Sequence, residues 1–529
     1  MIRRSKKFGI ISLTLVLAMS MSLLAGCGKK TNDSANDAGN QTDEVTESGM
    51  VSDTPIKFTM LYADNASYPY KSDWIIWDKI KEATNVEFEI QSVPDSDYTT
   101  KKQIIFNSGD IPDIVTKTAA LPEDAQSGIL LPISDYLDKL PNMKKYLDEN
   151  GFDADMDNLV QEDGKFYTLP TKCKDTRIQL HSWLIREDIF EKNNIAIPTT
   201  LDEVYEAGKK LKEIYPDSKP IINRFGSGNI LSVIAPGFGT QAGWNLGNSG
   251  YVYDEESDKW VFAPTSDNYK EMLTYMNKLY TEGILDPEFT TLESATYEQL
   301  VTQSETFIMI DWVGNQNRYN LEGQKTDPDF NVQPFFPVKG ADGDYAVPSA
   351  AKFEQSWVIP ASVKDEPYFN TLLRFIDWCY TEEAAEILTF GVEGETFEKG
   401  TDGKLSYIDI SKDISKEFGL GNNSLSVRVH KDFNYAFNGE EISNLFDEID
   451  KAGAVKAPEP GIRLSGDEIE EVKLYSTALT DYINVMTESL IYGKESFSDW
   501  DKFVTEYQNK GSDKLGEIYN TAWTRQNTK

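Results

Sequence analysis

Apolar positions along this chain fall into two kinds of run that take turns. Ile56-Lys57-Phe58-Thr59-Met60-Leu61-Tyr62 reads as a strand, closed by the polar turn Ala63-Asp64-Asn65. Residues 74–84 place Trp74, Trp77, Ile80 and Thr84 at three- and four-residue spacings, the period of one helix face. Val86-Glu87-Phe88-Glu89-Ile90 alternates apolar and polar like a half-buried strand. A helix through residues 101–108 follows, and the loop Gly109-Asp110-Ile111-Pro112-Asp113 feeds a short strand at Ile114-Val115. The Asp163-Gly164 turn leads into another expected strand, and Trp183-Leu184-Ile185-Arg186 is one more. Thr200 and Glu203 form a capping box for a helix running to about Ile214. Residues 268–280 are amphipathic, with Gly283 placed to end the helix. Strands are predicted at 304–311 and 356–360, and a helix over 371–390. From about Gly466 to Thr524 the chain reads as almost all helix, broken near Gly493 and Gly511. Strands alternating with helices over residues 56–115 imply an α/β domain with a largely parallel sheet, and the alternation occurs in both halves of the chain.

Two N-terminal stretches stand outside that alternation. Residues 8–24 are nearly all apolar, preceded by Arg3, Arg4, Lys6 and Lys7 and followed by Ala25-Gly26-Cys27. Basic, apolar, then small residues are the layout of a secretory signal peptide. The run is short for a membrane span, which needs roughly 20 residues. Leu24-Ala25-Gly26-Cys27 resembles the bacterial lipobox, which implies that Cys27 becomes the lipidated first residue of the mature protein. Residues 1–26 are therefore expected to be a lipoprotein signal peptide. Residues 27–54, rich in Asn, Asp, Ser, Thr and Gly, form a flexible tether.

At 529 residues the chain exceeds what one core serves, so more than one domain is expected. A net charge of −35 excludes DNA and RNA as partners, because such binding rests on neutralising phosphates. It also keeps the body from lying flat on an anionic membrane. With Cys27 lipidated, Cys173 and Cys379 remain, either bridged or as buried free thiols. Only two histidines are present, His181 and His430, which excludes a multi-His zinc or iron site. Asp254-Glu255-Glu256-Ser257-Asp258 would suit calcium by composition, but it lacks the spacing and glycine of an EF-hand loop. It reads as a charged hairpin tip, and no cofactor is expected.

Several stretches, in order, resemble the extracellular solute-binding proteins of bacterial carbohydrate ABC importers, relatives of maltose-binding protein. They are Ser108-Gly109-Asp110-Ile111-Pro112-Asp113-Ile114, Asp163-Gly164-Lys165-Phe166-Tyr167-Thr168-Leu169-Pro170, Ile185-Arg186-Glu187-Asp188 with Pro198-Thr199-Thr200-Leu201-Asp202-Glu203, Leu279 to Glu288, and Phe390-Gly391-Val392-Glu393-Gly394. The resemblance implies a two-lobed type II fold with a hinge and an interlobe ligand cleft. One lobe is expected over 55–175 plus about 355–410. The other takes 176–354 plus about 411–529, with the C-terminal helices. It further implies a monomer, lipid-anchored on the outer face of the membrane, that delivers a sugar to the permease subunits of an importer.

Sugars offer hydroxyls, which need hydrogen-bond partners, and C–H faces, which aromatic rings cover. Ten Trp and 26 Tyr permit such a site, and in open α/β sheets it lies at the C-terminal ends of strands. By that rule Tyr62 and Asn65 follow the first strand, and Lys117 follows the third. Gln179 precedes the Trp183 strand, as does His181, which as a lone histidine reads as structural. Arg224 and Asn229 lie in a glycine-rich turn, and Trp244 follows Gly237-Phe238-Gly239. Trp312 with Asp311 ends an apolar strand and is the leading stacking candidate; Trp357 is another. Trp378, mid-helix beside Phe375 and Cys379, reads as core. Two alternatives remain open at this point: a secreted carbohydrate-active lipoprotein enzyme, glycoside hydrolase or lyase, and a peptide-binding lipoprotein. The 87 acidic residues make carboxylate pairs expected by chance, so they favour neither.

Overall fold

The structure is a computed structural model. It describes residues 50–66, 68–150, 156, 158–170, 181–335, 338–339, 347, 356–409, 412–421, 424–455 and 459–528. Cys27, Cys173 and Gln179 lie outside the described residues. In chain order the strands are β1 (Ile56–Asp64), β2 (Val86–Pro94), β3 (Ile114–Thr118), β4 (His181–Arg186), β5 (Ile221–Asn223) and β6 (Tyr251–Asp254). They continue with β7 (Lys259–Phe262), β8 (Ile308–Trp312), β9 (Val332–Pro334), β10 (Ser356–Val358), β11 (Phe397–Lys399) and β12 (Leu405–Tyr407).

Two four-stranded sheets found two lobes. The first has the order β10-β3-β1-β2, with β1 parallel to β2 and β3 and only β10 antiparallel. Helices Ile75–Thr84 and Asp95–Ser108 make the two crossovers, as parallel pairing requires. Strand β1 shows why its sequence is nearly all apolar: Phe58, Met60 and Tyr62 enter one core, and Leu61 and Ala63 enter another on the opposite face. The second sheet, β5-β8-β4-β9, behaves alike. Trp183 and Ile185 of β4 face one core with Ile308 and Ile310 of β8, while Leu184 and Met309 face the other.

The second sheet is not largely parallel, as the strand–helix alternation predicts. Only β5 and β8 run parallel; β4 is antiparallel to both β8 and β9. The cause is where the chain enters. His181 begins β4 opposite Trp312, which ends β8, so chain entry and strand exit share one edge.

Two boundaries also move. Residues from about 411 are expected with the second lobe, yet Ile414, Leu420, Leu425, Val427 and Ala436 pack into the first core. They close over indoles of that lobe: Trp74 donates to the Lys416 carbonyl (3.0 Å) and Trp357 to the Ser424 carbonyl (2.9 Å). The return to the second lobe is made along the helix Phe433–Lys451, whose Ile442, Phe446 and Ile449 belong to the second lobe. Between the two ends Gly439 breaks the helix at φ 84° and ψ 174°, a conformation essentially confined to glycine. The helix expected over 371–390 is two, Phe369–Trp378 and Glu382–Phe390, because Thr381 caps the second by accepting from the Ala384 amide (3.1 Å). After the Asp163-Gly164 turn only isolated bridges form, at Phe166 and Thr168.

The C-terminal helices Gly466–Ile491, Trp500–Asn509 and Ser512–Asn527 break where Gly493 and Gly511 predict, and their Leu479, Ile483, Phe503 and Leu515 join the second-lobe core. The first of them opens with a true capping box, Ser465 with Glu468. It also reaches the first lobe, where Lys473 lies 3.6 Å from Glu123. At the expected box, Thr200 accepts from the Glu203 amide (3.1 Å), but the Glu203 carboxylate reaches back one residue further, to the Thr199 amide (2.6 Å).

Candidate functional site

The edge of the second sheet where β4 starts and β8 ends gathers four of the ten predicted site residues, Arg224, Trp244, Asp311 and Trp312. Parallel β5 finishes there too, with Asn223 level with Ile310, so Arg224 and Phe225 emerge beside Asp311 and Trp312. Trp312 is 45% exposed although it belongs to a buried strand. His181 lies against it with ring centroids 4.5 Å apart, and Trp244 stacks on His181 at 5.0 Å and 15° between planes. Trp244 is itself 51% exposed, with Phe225 at 6.1 Å. Three large rings thus stand open to solvent around one buried imidazole. Gly228 makes this packing fit: a Cβ there would come within 2.7 Å of the Trp244 ring.

Beneath the rings lies a buried polar brace. Asp311, fully buried, accepts from Arg224 Nε (3.1 Å) and Nη2 (2.9 Å), from the Tyr319 hydroxyl and from the Trp312 amide (2.8 Å). Arg224 Nη1 also donates to Glu298 (3.3 Å), which holds Arg318 as well (2.8 Å). The guanidinium lies over the Tyr297 ring at 5.1 Å. Burial is the largest single influence on Arg224 and opposes its charge, but Asp311, through charge and hydrogen bond, together with Tyr319 and Tyr297 holds the guanidinium above its ordinary pKa. Burial, helped by the Asp311 charge, drives the Tyr319 and Tyr297 hydroxyls far up, so both stay neutral donors. His181 goes the other way. Burial pushes it down to about 4; the pull of Asp311 is smaller and Arg224 adds to the depression. Among the described residues neither ring nitrogen of His181 has a hydrogen-bond partner. A buried histidine in contact with two exposed indoles, its ring nitrogens unpaired among the described residues, is more than the reading of a lone structural histidine anticipates.

This arrangement can do one thing well. It presents flat apolar faces, 45% and 51% exposed at Trp312 and Trp244, above a buried ion pair. Among the described residues no group of three His, Cys, Asp or Glu is placed to hold a metal ion.

The description "bacterial extracellular solute-binding protein" matches residues 71–386, more than half of the chain. The chain belongs to this family. Among relatives, it is 24% identical over 538 residues to the polygalacturonan/rhamnogalacturonan-binding protein YtcQ of Bacillus subtilis, covering 98% of this chain and 99% of that one. It is 27% identical over 302 residues to the fructooligosaccharide ABC transporter substrate-binding protein FusA of Streptococcus pneumoniae, covering 53% and 54%. Among solved structures, the alginate-binding protein AlgQ2 superposes with a TM-score of 0.72 at 20% identity, over 90% of this chain and all of that one.

The other candidates in this solute-binding protein stand apart from the rings. Asn229 is fully buried beneath them, where its amide donates to the Arg224 carbonyl (2.9 Å) and so shapes the loop. Tyr62 is a correction: its ring points from β1 into the first core against Tyr70 (5.6 Å), because alternation sends it inward. Trp357 is a second correction, since it is 3% exposed and stacks on Phe375 in the same core. Trp183 is core of the second lobe. Asn65 is a turn residue, its carbonyl accepting from the Tyr68 amide (3.1 Å). Lys117 does not follow β3 but is its last residue but one, in a left-handed conformation (φ 46°), with its ammonium on Asp95 (2.7 Å). Trp378 and the free thiol Cys379 are buried in the first core, as read. The 254–258 segment is the turn of the β6–β7 hairpin, with Asp254 accepting from the Ser257 amide (3.1 Å). Among the described residues no helix is long and apolar enough to cross a membrane.

Proposed function

We propose that this protein captures an oligosaccharide outside the cell, between its two lobes, and presents it to the permease subunits of an ABC importer. The observation that carries the reading is the braced aromatic platform of Trp312, His181 and Trp244 at the strand-end edge of the second sheet. Rings held open at that cost in exposed apolar surface fit the C–H faces of pyranose or furanose units better than a peptide. Relatives named for binding polygalacturonan and fructooligosaccharides support the same ligand class. The protein acts by binding alone, as a monomer, and returns its ligand intact; Lys117 closes over the sugar from the first lobe.

Calorimetric titration with a panel of oligosaccharides tests this. Trp312→Ala is expected to weaken the best ligand by roughly 2 kcal/mol or more, about thirtyfold. Trp378→Phe serves as the control, lowering stability while affinity holds. Wild-type affinity in a folded Trp312→Ala protein would remove the platform from the site.

The anchor belongs to the same reading. Cys27 carries the lipid that keeps the protein at the membrane, since its surface charge gives it no other hold. Cys27→Ser is expected to release the protein into the medium; membrane retention with an unprocessed mass equal to wild type would dismiss the lipobox.

A further inference from the structure

A cavity of about 500 Å³ adjoins the platform and is not explained by it. The described residues around it all belong to the second lobe: the start of the helix Ser227–Ile234, the loop over 243–250, Tyr269 and one face of the helix Gly466–Ile491. Trp244 and Phe225 line it as well, so the platform and the cavity share a wall. Its size falls within the range of small-ligand sites, roughly 300–1,000 Å³.

Two observations say that it receives something. The first is backbone strain. Among the described residues eight non-glycine residues have positive φ, and three of them line this one cavity: Phe225 (67°), Asn248 (46°) and Ser249 (53°). A bulky aromatic at positive φ is an outlier, and such strain collects where a ligand is held. The second is the polar face of the long helix. Thr480, Asn484, Thr487 and Glu488 lie at helical spacing along the cavity, two of them, Thr480 and Asn484, exposed. Asn484 brings both a donor and an acceptor to the rim.

Charge then selects the ligand. Glu488 is the only charged residue among the described residues of the lining, and its Oε1 accepts from Ser227 Oγ (2.7 Å). The positive end of the helix Ser227–Ile234 therefore already has an anion beside it. A hydroxyl-bearing sugar finds an acceptor there, whereas a second carboxylate meets a like charge in a confined space.

We infer that this cavity holds the sugar unit following the one stacked on Trp244, and that this unit carries no carboxylate. The inference rests on the sugar-binding reading above and narrows it to oligosaccharides with a neutral unit at that position. The full chain is titrated with neutral oligosaccharides of two to five units and with oligogalacturonates of equal length. Neutral chains long enough to pass Trp244 are expected to bind about tenfold tighter than the disaccharide. Asn484→Trp, entering the cavity from its exposed rim, cancels that gain and leaves disaccharide affinity unchanged. Oligogalacturonates bind about tenfold more weakly than neutral chains, and Glu488→Gln narrows the gap. If sugars bind but Asn484→Trp keeps the full length dependence, or if wild type prefers oligogalacturonates, the cavity assignment falls while the platform stands. If none of these sugars binds a protein with Trp312 intact, both readings fall.

Discussion

Asp311→Ala is expected to lower the unfolding free energy by about 3–5 kcal/mol, because it leaves a buried cation without its partner. Arg224 is 5% exposed, and its other ion pair, with Glu298, is shared with Arg318. Truncation also orphans the Tyr319 hydroxyl and the Trp312 amide, each of which donates to Asp311. Arg224→Met added to Asp311→Ala should recover part of the loss, since the uncompensated charge is then gone. Urea unfolding followed by circular dichroism on wild type, both single variants and the double variant gives the coupling directly. A loss below about 1 kcal/mol in Asp311→Ala, or strict additivity in the cycle, would show that the pair does not brace the platform.

The pair also explains which parts of the site were legible. Asp311 and Trp312 are readable from the end of an apolar strand, Arg224 from its glycine-rich turn and Trp244 from its place after Gly237-Phe238-Gly239, and all four meet at one edge. Asn229 is readable from its glycine-rich turn and sits in the same place, but it serves the loop. Tyr62 and Trp357 follow the same rule and fail it, because a strand buried on both faces gives no sign of which way a terminal ring points. His181 is the converse: its burial against two rings depends on Trp244, 63 positions away in the chain. The signal that could have found it is pairing: an antiparallel β4–β8 register puts His181, two positions before Trp183, opposite Trp312. Antiparallel pairing is the one feature of the second sheet that strand–helix alternation hides. The lobe boundary at 411 fails for a related reason. The apolar residues from Ile414 to Val427 are scattered singly, and only their packing over the first lobe's Trp74 and Trp357 says which core they cover.

The second large effect is a dependence of stability on acid that belongs to His181. Its ordinary pKa is 6.5, and in the folded protein burial holds it at about 4. Between those values the unfolded chain takes up a proton that the folded chain refuses, so protons favour unfolding. The contribution is fully present above about pH 6.5, is lost as pH falls toward 4, and changes no further below that. Its full size is about 3 kcal/mol. The charged groups that bear on the ring are Asp311, which works against the depression, and Arg224, which adds to it. His181→Phe keeps a flat ring against Trp244 and Trp312 and cannot titrate. Carboxylates throughout the chain also respond in this range, so the quantity to read is the difference between the two proteins. Urea unfolding at pH 7, 6, 5 and 4.5 should show wild type losing stability relative to His181→Phe by an amount that grows through that series. Parallel curves would mean that the imidazole is protonated in the folded state and that the space beside the indoles is wet.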